Sequence, residues 1–300
     1  MTRTRALSLG ALATLTVFAT TALPAHASLQ PVSYVALGDS WSADVLTSLP
    51  PSTAGGVPLG CAQSPTDYPH QVAEALHVAS FKDATCGSAT TQNMTSPQSV
   101  PLGGVNAPQF NRLSMATTLV TLGIGGNDIG LAADIESCVG LPIDLPGQGC
   151  KAKFTAGGVD QVSAAIRATA PKLASTIAGI KQRSPHARIL VVNYLNGVPL
   201  DGKGCWSLRA PMSDTDMAWF AEKFQEMNAM IASVARASRV QLVDTFTPTI
   251  GHDVCQAAGV RDIEGLIPLS AANSDLLAFP FHPNQNGANA QTAAVLAAIR

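Results

Sequence analysis

Short apolar runs alternate along the chain with longer segments whose apolar residues recur every three or four positions. Ser33 to Leu37, Thr117 to Leu122, Arg188 to Leu195 and Val240 to Phe246 have the length and composition of buried strands, and Val78 to Thr85 is a weaker fifth. Val159, Val162, Ile166, Ala170, Leu173, Ile177 and Ile180 mark one helical face between Gly158 and Arg183, a helix that Pro171 is expected to kink or divide. Met217, Phe220, Phe224, Met227, Ile231 and Val234 mark another behind a capping signal at Ser213 and Asp216, and this stripe reads as core packing. Asp67 can cap a short helix with Pro69 in its first turn and Val72 and Leu76 inward, and the Ala-rich stretch Asn284 to Ile299 closes the chain. Apolar strands separated by amphipathic helices predict a central parallel sheet with helices on both faces, an α/β protein of three layers. The stretches 46–66, 91–109, 136–157 and 200–212 are expected to be irregular loops on that core.

The first residues have a different pattern. Arg3 and Arg5 precede a charge-free run from Ala6 to Ala19, and Ala25-His26-Ala27 supplies small residues at the spacing of a signal-peptidase site. Polar interruptions at Ser8, Gly10, Thr14 and Thr16 leave the run short of the roughly 20 residues of a spanning helix. Residues 1–27 are therefore expected to be a signal peptide cleaved after Ala27, and 28–300 a single secreted domain with no stable membrane insertion. Loss of Arg3 and Arg5 takes the 18 Lys and Arg to 16 against 20 Asp and Glu, a net charge of −4. With no Lys/Arg-rich patch, nucleic acid is excluded as a partner. An apolar fraction of 46% with 13% charged residues excludes a disordered chain.

The six cysteines, Cys61, Cys86, Cys138, Cys150, Cys205 and Cys255, contain no Cys-x-x-Cys pair and no histidine at zinc-finger spacing. An even number in an exported chain favours three disulfides over a metal site. Spacing alone leaves many connectivities open. The simplest is nearest-neighbour pairing, Cys61–Cys86, Cys138–Cys150 and Cys205–Cys255, each worth about 3 to 4 kcal/mol through restriction of the unfolded chain.

Candidate chemistry sits where strands end, because ligands of open α/β sheets bind beyond the carboxyl ends of the strands. Gly38-Asp39-Ser40 follows the first strand, and Gly125-Gly126-Asn127-Asp128 follows a middle one. By itself Gly-Asp-Ser serves equally well as a turn that caps the next helix. A second Gly-rich turn with an amide side chain adds a donor suited to a developing oxyanion, and His282 before the last helix is a candidate base for a serine hydroxyl. In this order the blocks Gly38-Asp39-Ser40, Gly125-Gly126-Asn127-Asp128 and His282-Pro283, with Cys86-Gly87-Ser88-Ala89-Thr90-Thr91 where the family's second block lies, resemble the SGNH (GDSL-type) hydrolase superfamily, especially its secreted actinobacterial esterases and lipases. The likeness covers about 30 to 290, and Gly251-His252-Asp253-Val254-Cys255 is similar to the disulfide-bearing members.

The resemblance implies a flavodoxin-like SGNH fold and a secreted serine ester hydrolase, acting on a small-molecule or lipid ester as a monomer without metal or cofactor. Ser40 would be the nucleophile and His282 its general base. The oxyanion hole would be the amides of Ser40 and a block-two residue with the Asn127 side chain, while Gly125 allows close backbone approach and Asp39 stabilises its turn. Where the family has glycine this chain has Ser88, so either Ser88 or Gly87 supplies the amide. An acid often stands three residues before the catalytic histidine, and here that residue is Phe279. The sequence thus fits the variant in which a main-chain carbonyl, near Phe279, orients His282. Asp275, Asp253 and Asp244 are the acids that would otherwise serve. His252 is expected to be a loop residue, His70, His77 and His186 to face solvent, and Trp41 and Trp206 either to line the cleft or to serve structure. The alternatives are a carbohydrate O-acetylesterase and an inactive cell-wall- or carbohydrate-binding relative, although 3 Trp and 3 Tyr are few for an aromatic binding strip.

Overall fold

Alternation within the strands sets the layers. A computed structural model describes residues 1–2, 32–138, 149–205, 210–266 and 278–300, so the expected signal peptide beyond Thr2, Trp206 and Asp275 lie outside the described residues. The chain divides into a unit Met1–Gln30 and a unit Pro31–Arg300, and the second carries the sheet. Its elements in chain order are β1 (Ser33–Gly38), α1 (Tyr68–Ala75), β2 (Ser80–Asp83), β3 (Gln98–Ser99), β4 (Val105–Asn106), β5 (Leu119–Gly123), α2 (Gly126–Ile129), α3 (Leu131–Glu136), α4 (Cys150–Thr155), α5 (Gln161–Arg183), β6 (Arg188–Val192), α6 (Asp214–Ala237), β7 (Gln241–Val243) and α7 (Gln285–Ile299).

In β1, Tyr34 and Ala36 join a cluster with Tyr68 and Val72 of α1 and Val295 of α7. Val35 and Leu37 join another with Ile166, Leu173 and Ile177 of α5 and Phe220 and Phe224 of α6. The same division recurs in β6, where Leu190 and Val192 take the first side and Ile189 and Val191 the second. Period-two alternation thus buries both faces of one sheet, giving an α/β/α sandwich in which each large apolar side chain contributes about 1.5 to 3 kcal/mol. Side chains of Asp67, Asp160, Ser213 and Asn284 accept from the backbone N–H three residues on and start α1, α5, α6 and α7.

Strand order is β2-β1-β5-β6-β7, with every neighbouring pair parallel. From β1 the chain moves outward to β2 and then returns to β5 on the other side, which makes the β1/β5 boundary the topological switch point. Ser40 follows β1 there and Asn127 follows β5.

Three expectations change. The 23-residue α5 runs through Pro171 undivided, because Ile166 on one side of it and Leu173 and Ile177 on the other stay buried, and this packing outweighs one missing hydrogen bond. The stretch 91–109 contains the antiparallel hairpin β3–β4, and 136–157 contains α4. Sequence periodicity missed both because elements of two and six residues are too short to express a period. The structure pairs Cys61–Cys86, Cys138–Cys150 and Cys205–Cys255, with Cα separations of 4.3, 5.3 and 5.4 Å.

Candidate active site

Two glycines let the turn after β1 form. Gly38 and Gly123 are register partners, and a Cβ on either would overlap Ser42, whose Oγ donates to the Gly123 carbonyl at 3.1 Å. Asp39 N–H also donates to Gly123 O at 3.0 Å, and Asp39 O accepts from Ser42 and Ala43 at 3.1 and 2.9 Å. Gln109 holds the strand end from the side, its Oε1 accepting from Gly38 N–H at 2.9 Å and its Nε2 donating to Gly38 O at 2.8 Å. Gln109 was not singled out in the sequence, since nothing local to a Gln-Phe-Asn string signals a contact 71 positions away.

Ser40 Oγ and His282 Nε2, 242 positions apart, are 2.7 Å from each other. The other ring nitrogen, Nδ1, is 2.7 Å from the Pro280 carbonyl oxygen, and the His282 backbone N–H donates to Phe279 O at 3.1 Å. The group on Nδ1 is thus a main-chain carbonyl, one residue beyond Phe279. Among the described residues no carboxylate reaches the ring. Burial pulls the imidazole down to about 4, opposed in part by the Pro280 contact, so at neutral pH it is uncharged. The tautomer that donates Nδ1–H to Pro280 O leaves the Nε2 lone pair facing Ser40, the state that can accept a hydroxyl proton.

Donors converge opposite that pair. Gly87 N–H is engaged by Cys61 O at 2.9 Å, whereas the Ser40 and Ser88 amides have no protein acceptor among the described residues. Ser88 has φ +61°, a left-handed conformation that glycine adopts more cheaply, and it therefore reproduces the backbone of a glycine position. Asn127 Nδ2 donates one hydrogen to Ala89 O at 2.9 Å, which fixes the amide and leaves its second hydrogen free. Next to it Asp128 accepts from Thr91 N–H at 2.8 Å and from its hydroxyl at 2.6 Å, so the Cys86–Thr91 block and the asparagine turn are clamped together. Gly125 has φ +126° and starts α2, a backbone angle that requires its missing Cβ.

Asp39 does not reach His282. Its carboxyl accepts from the Tyr194 hydroxyl and, at 3.0 Å, from Trp41 N–H, and burial pushes it up to about 7 against those hydrogen bonds. Tyr194 OH in turn accepts from Gly126 N–H at 2.7 Å, tying the serine turn to the asparagine turn. Tyr194 lies two residues beyond β6, in what the sequence shows as an apolar run, and that pattern gave it no polar role.

Two cavities open on Ser40. One is apolar, bounded by Trp41, Leu131, Ile135, Tyr194, Phe224 and Phe281. The other runs past Val45, Gly60, Ala62, Ser88, Pro101 and Phe279. Trp41 thus lines the cleft.

The remaining titratable candidates lie elsewhere. Asp253 caps Cys255 N–H at 2.9 Å, and Asp244 accepts from Asn193 at 3.1 Å and from the amides of Phe246 and Thr247. His252 is a loop residue on the Val260 carbonyl, and His77 and His186 are exposed. His70, expected to face solvent, is half-buried with Nδ1 2.7 Å from Asp67 and 3.5 Å from Asp83, because it lies on the side of α1 that packs against β2, where its ring also meets Phe81 edge-on. Asp67, His70 and Asp83 have the ligand types and proximity to hold a cation, yet they line neither cavity at Ser40.

A three-layer parallel sandwich with a neutral Ser–His pair and free amides at its switch point defines a serine-type ester hydrolase. The chain belongs to the GDSL-like Lipase/Acylhydrolase family, which it matches over residues 36–290, and it is a carboxylic ester hydrolase. It is 34% identical to Lipase 2 of Streptomyces coelicolor over 269 residues, 89% of this chain and 85% of that protein. A lipase of Streptomyces rimosus is 28% identical over 275 residues, 91% of this chain and 88% of its own. The crystal structure of phospholipase A1 from Streptomyces albidoflavus shares the fold, with a TM-score of 0.70 at 22% identity over 90% of this chain and 100% of that one.

Proposed function

We propose that the protein is a secreted lipid-ester hydrolase that works through an acyl-enzyme on Ser40, with His282 as its base and no acidic third member. The 2.7 Å contact of His282 Nε2 with Ser40 Oγ, with Nδ1 on the Pro280 carbonyl, carries this reading. Ser40 Oγ attacks the ester carbonyl carbon while its proton passes to Nε2. The developing oxyanion is taken by the amides of Ser40 and Ser88 and by the free hydrogen of Asn127 Nδ2. Ser88 is the block-two donor, since the Gly87 amide is already committed to Cys61 O. The departing alkoxide takes the proton back from His282, and a water activated by the same nitrogen then frees the acid. These steps need no metal or cofactor. All these groups come from one chain, which supports a monomer as the acting unit. The basic start, apolar run and small residues before Ser28 support export with cleavage after Ala27, and a solved structure of like fold, 24% identical with a TM-score of 0.69, is described as an extracellular lipase from Streptomyces rimosus.

A phosphonate should label Ser40, and folded Ser40→Ala should lose ester hydrolysis; wild-type turnover in that variant would sink the assignment. For the dyad, Asp244→Asn, Asp253→Asn and Asp275→Asn should each keep kcat within about tenfold, whereas loss of a true triad acid costs on the order of 10⁴-fold.

A further inference from the structure

We propose that the tip of the β3–β4 hairpin and the turn at Leu59 form an uncharged apolar rim that docks the enzyme onto the surface of aggregated, uncharged carboxylic esters. The inference rests on the ester-hydrolase reading above and names the physical state of its substrate. Its starting point is a set of side chains that folding leaves in water. Leu102 is 85% exposed, Val105 61%, Leu59 47% and Phe279 41%. They belong to one neighbourhood: Gly60 packs directly under Pro101 and Val100, Gly104 lies against Pro58, and Gly60, Pro101 and Phe279 together line a cavity that opens on Ser40. Leu59 and Leu102 are the exposed chain neighbours of Gly60 and Pro101, two residues that line this cavity. The hairpin is anchored at its base, where Gln98 Nε2 donates to Gly87 O at 2.7 Å, beside Ser88.

Leu102 carries a second signal. It has φ +63° at the hairpin tip, followed by Gly103 and Gly104, also at positive φ. Gly or Asn adopts that conformation at lower cost than a γ-branched apolar side chain, and this Leu gains no burial in return. A residue that is unfavourable both for its backbone and for its exposure is explained by something that covers it.

Charge identifies the occupant. Residues 45–66 and 84–111, which build the turn and the hairpin, contain no Asp, Glu, Lys, Arg or His, in a chain that is 13% charged. Arg112, just beyond, has its guanidinium near Gly56, away from the residues lining the cavity. An anionic surface would find no cation here, and a polysaccharide would find few hydrogen-bonding side chains among Leu59, Leu102, Val105 and Phe279. A hydrocarbon surface without net charge meets apolar groups and has no buried charge to desolvate. Docking there sets the cavity mouth, and through it Ser40, against the ester layer.

The test compares wild type, Leu102→Asp, Leu59→Asp and Leu102→Gly on emulsified trioctanoylglycerol, on anionic phosphatidylglycerol vesicles and on soluble p-nitrophenyl acetate. Sedimentation with the phase measures binding, and initial rates measure turnover. Each Asp variant should bind the emulsion about tenfold or more weakly, the worth of one buried Leu, and lose emulsion rate in parallel. Its kcat/KM on the soluble ester should stay within about twofold. Leu102→Gly should unfold no earlier than wild type, since its φ is then free of strain, yet still lose emulsion binding, which separates docking from folding. Wild type should bind the neutral emulsion more strongly than the anionic vesicles, with little dependence on salt. Unchanged emulsion binding in the Leu102 variants, or stronger binding to the anionic surface, would overturn the proposal. An equal loss on both esters would do the same. Failure of wild type on the soluble ester would instead strike the hydrolase reading itself.

Discussion

Two imidazoles in this protein have opposite surroundings. His70 has the partners usually sought around a base, with Asp67 at 2.7 Å and Asp83 at 3.5 Å from its Nδ1. Among the described residues the His282 ring has no carboxylate and is hydrogen-bonded to the Pro280 carbonyl and the Ser40 hydroxyl, and burial holds it down to about 4. Yet His70 sits beside no serine and lines neither cavity, and its carboxylates are committed to the backbone. Asp67 caps α1 through His70 N–H at 2.8 Å, and Asp83 Oδ1 accepts from Thr85 N–H and hydroxyl at 2.9 and 2.7 Å. A carboxylate beside a histidine therefore marks a buried polar contact, and not by itself a catalytic base. The base must be uncharged, with a free lone pair aimed at the hydroxyl it deprotonates and open to substrate on the far side.

The contrast is broken most directly by removing each ring. His282→Ala should lower kcat on the order of 10⁴-fold, while His70→Ala keeps it within about threefold in the same ester assay. Comparable losses in both would mean that the edge cluster supports catalysis after all. Asn127→Ala should come next, with kcat down about 100- to 1,000-fold and KM little changed. A normal kcat with a lower melting temperature would reduce Asn127 to a turn residue. On the other side of the comparison, Asp67→Ala should leave kcat unaltered and cost about 1 kcal/mol as a lost cap, roughly 2 to 4 °C in Tm.

Proton linkage gives the smallest effects. The acid limb of kcat/KM should fall as pH drops through about 4, where His282 gains a proton in the folded enzyme. A limb near 6.5 would show a solvated ring. For stability the two buried groups of the site have opposite signs. Unfolded His282 is protonated from its ordinary 6.5 downward while the folded ring is not, so stability is lost as pH falls from 6.5 toward 4. Asp39, raised to about 7 from 3.8, keeps its proton when folded, so its contribution is full below about 4 and is lost as pH rises toward 7. Melting curves of Asp39→Asn against wild type over pH 4 to 7 should show the variant losing less stability as pH rises. Parallel curves would contradict the burial of that carboxyl.

Much of this was legible along the chain because the interactions concerned are local. Period-two and period-3.6 patterns reflect which side of an element meets the core, and β1, β5, β6, α5, α6 and α7 were placed within a few residues by them. The caps at Asp67 and Ser213 act over three positions, so they too are written in adjacent letters. Gly38-Asp39-Ser40 and Gly125-Gly126-Asn127 stood out because glycine next to a reactive side chain is a backbone requirement as well as a chemical one, and His282 because it lies just before the last helix.

What only the tertiary structure decided are contacts between segments far apart, each of which depends on a few tenths of an ångström. That the Ser88 amide is unengaged among the described residues while the Gly87 amide is not turns on Cys61 O, 26 residues earlier, which accepts from Gly87 N–H. The oxygen 2.7 Å from His282 Nδ1 is the Pro280 carbonyl, a main-chain group every residue owns and no side-chain letter announces. Tyr194 and Gln109 read as an apolar strand end and a loop polar residue until the sheet register brings them to Asp39 and Gly38. The buried Arg261–Glu264 pair, at 2.8 Å, sits behind His282, whose carbonyl accepts from Glu264 N–H at 3.0 Å, and a charged pair of that kind reads in sequence as surface. Amino-acid order fixes hydrophobic periodicity and backbone permission, which are short-range. Hydrogen-bond partners across the sheet are set by closure of the whole fold, and the distance between Ser40 and His282 exists only once it has closed.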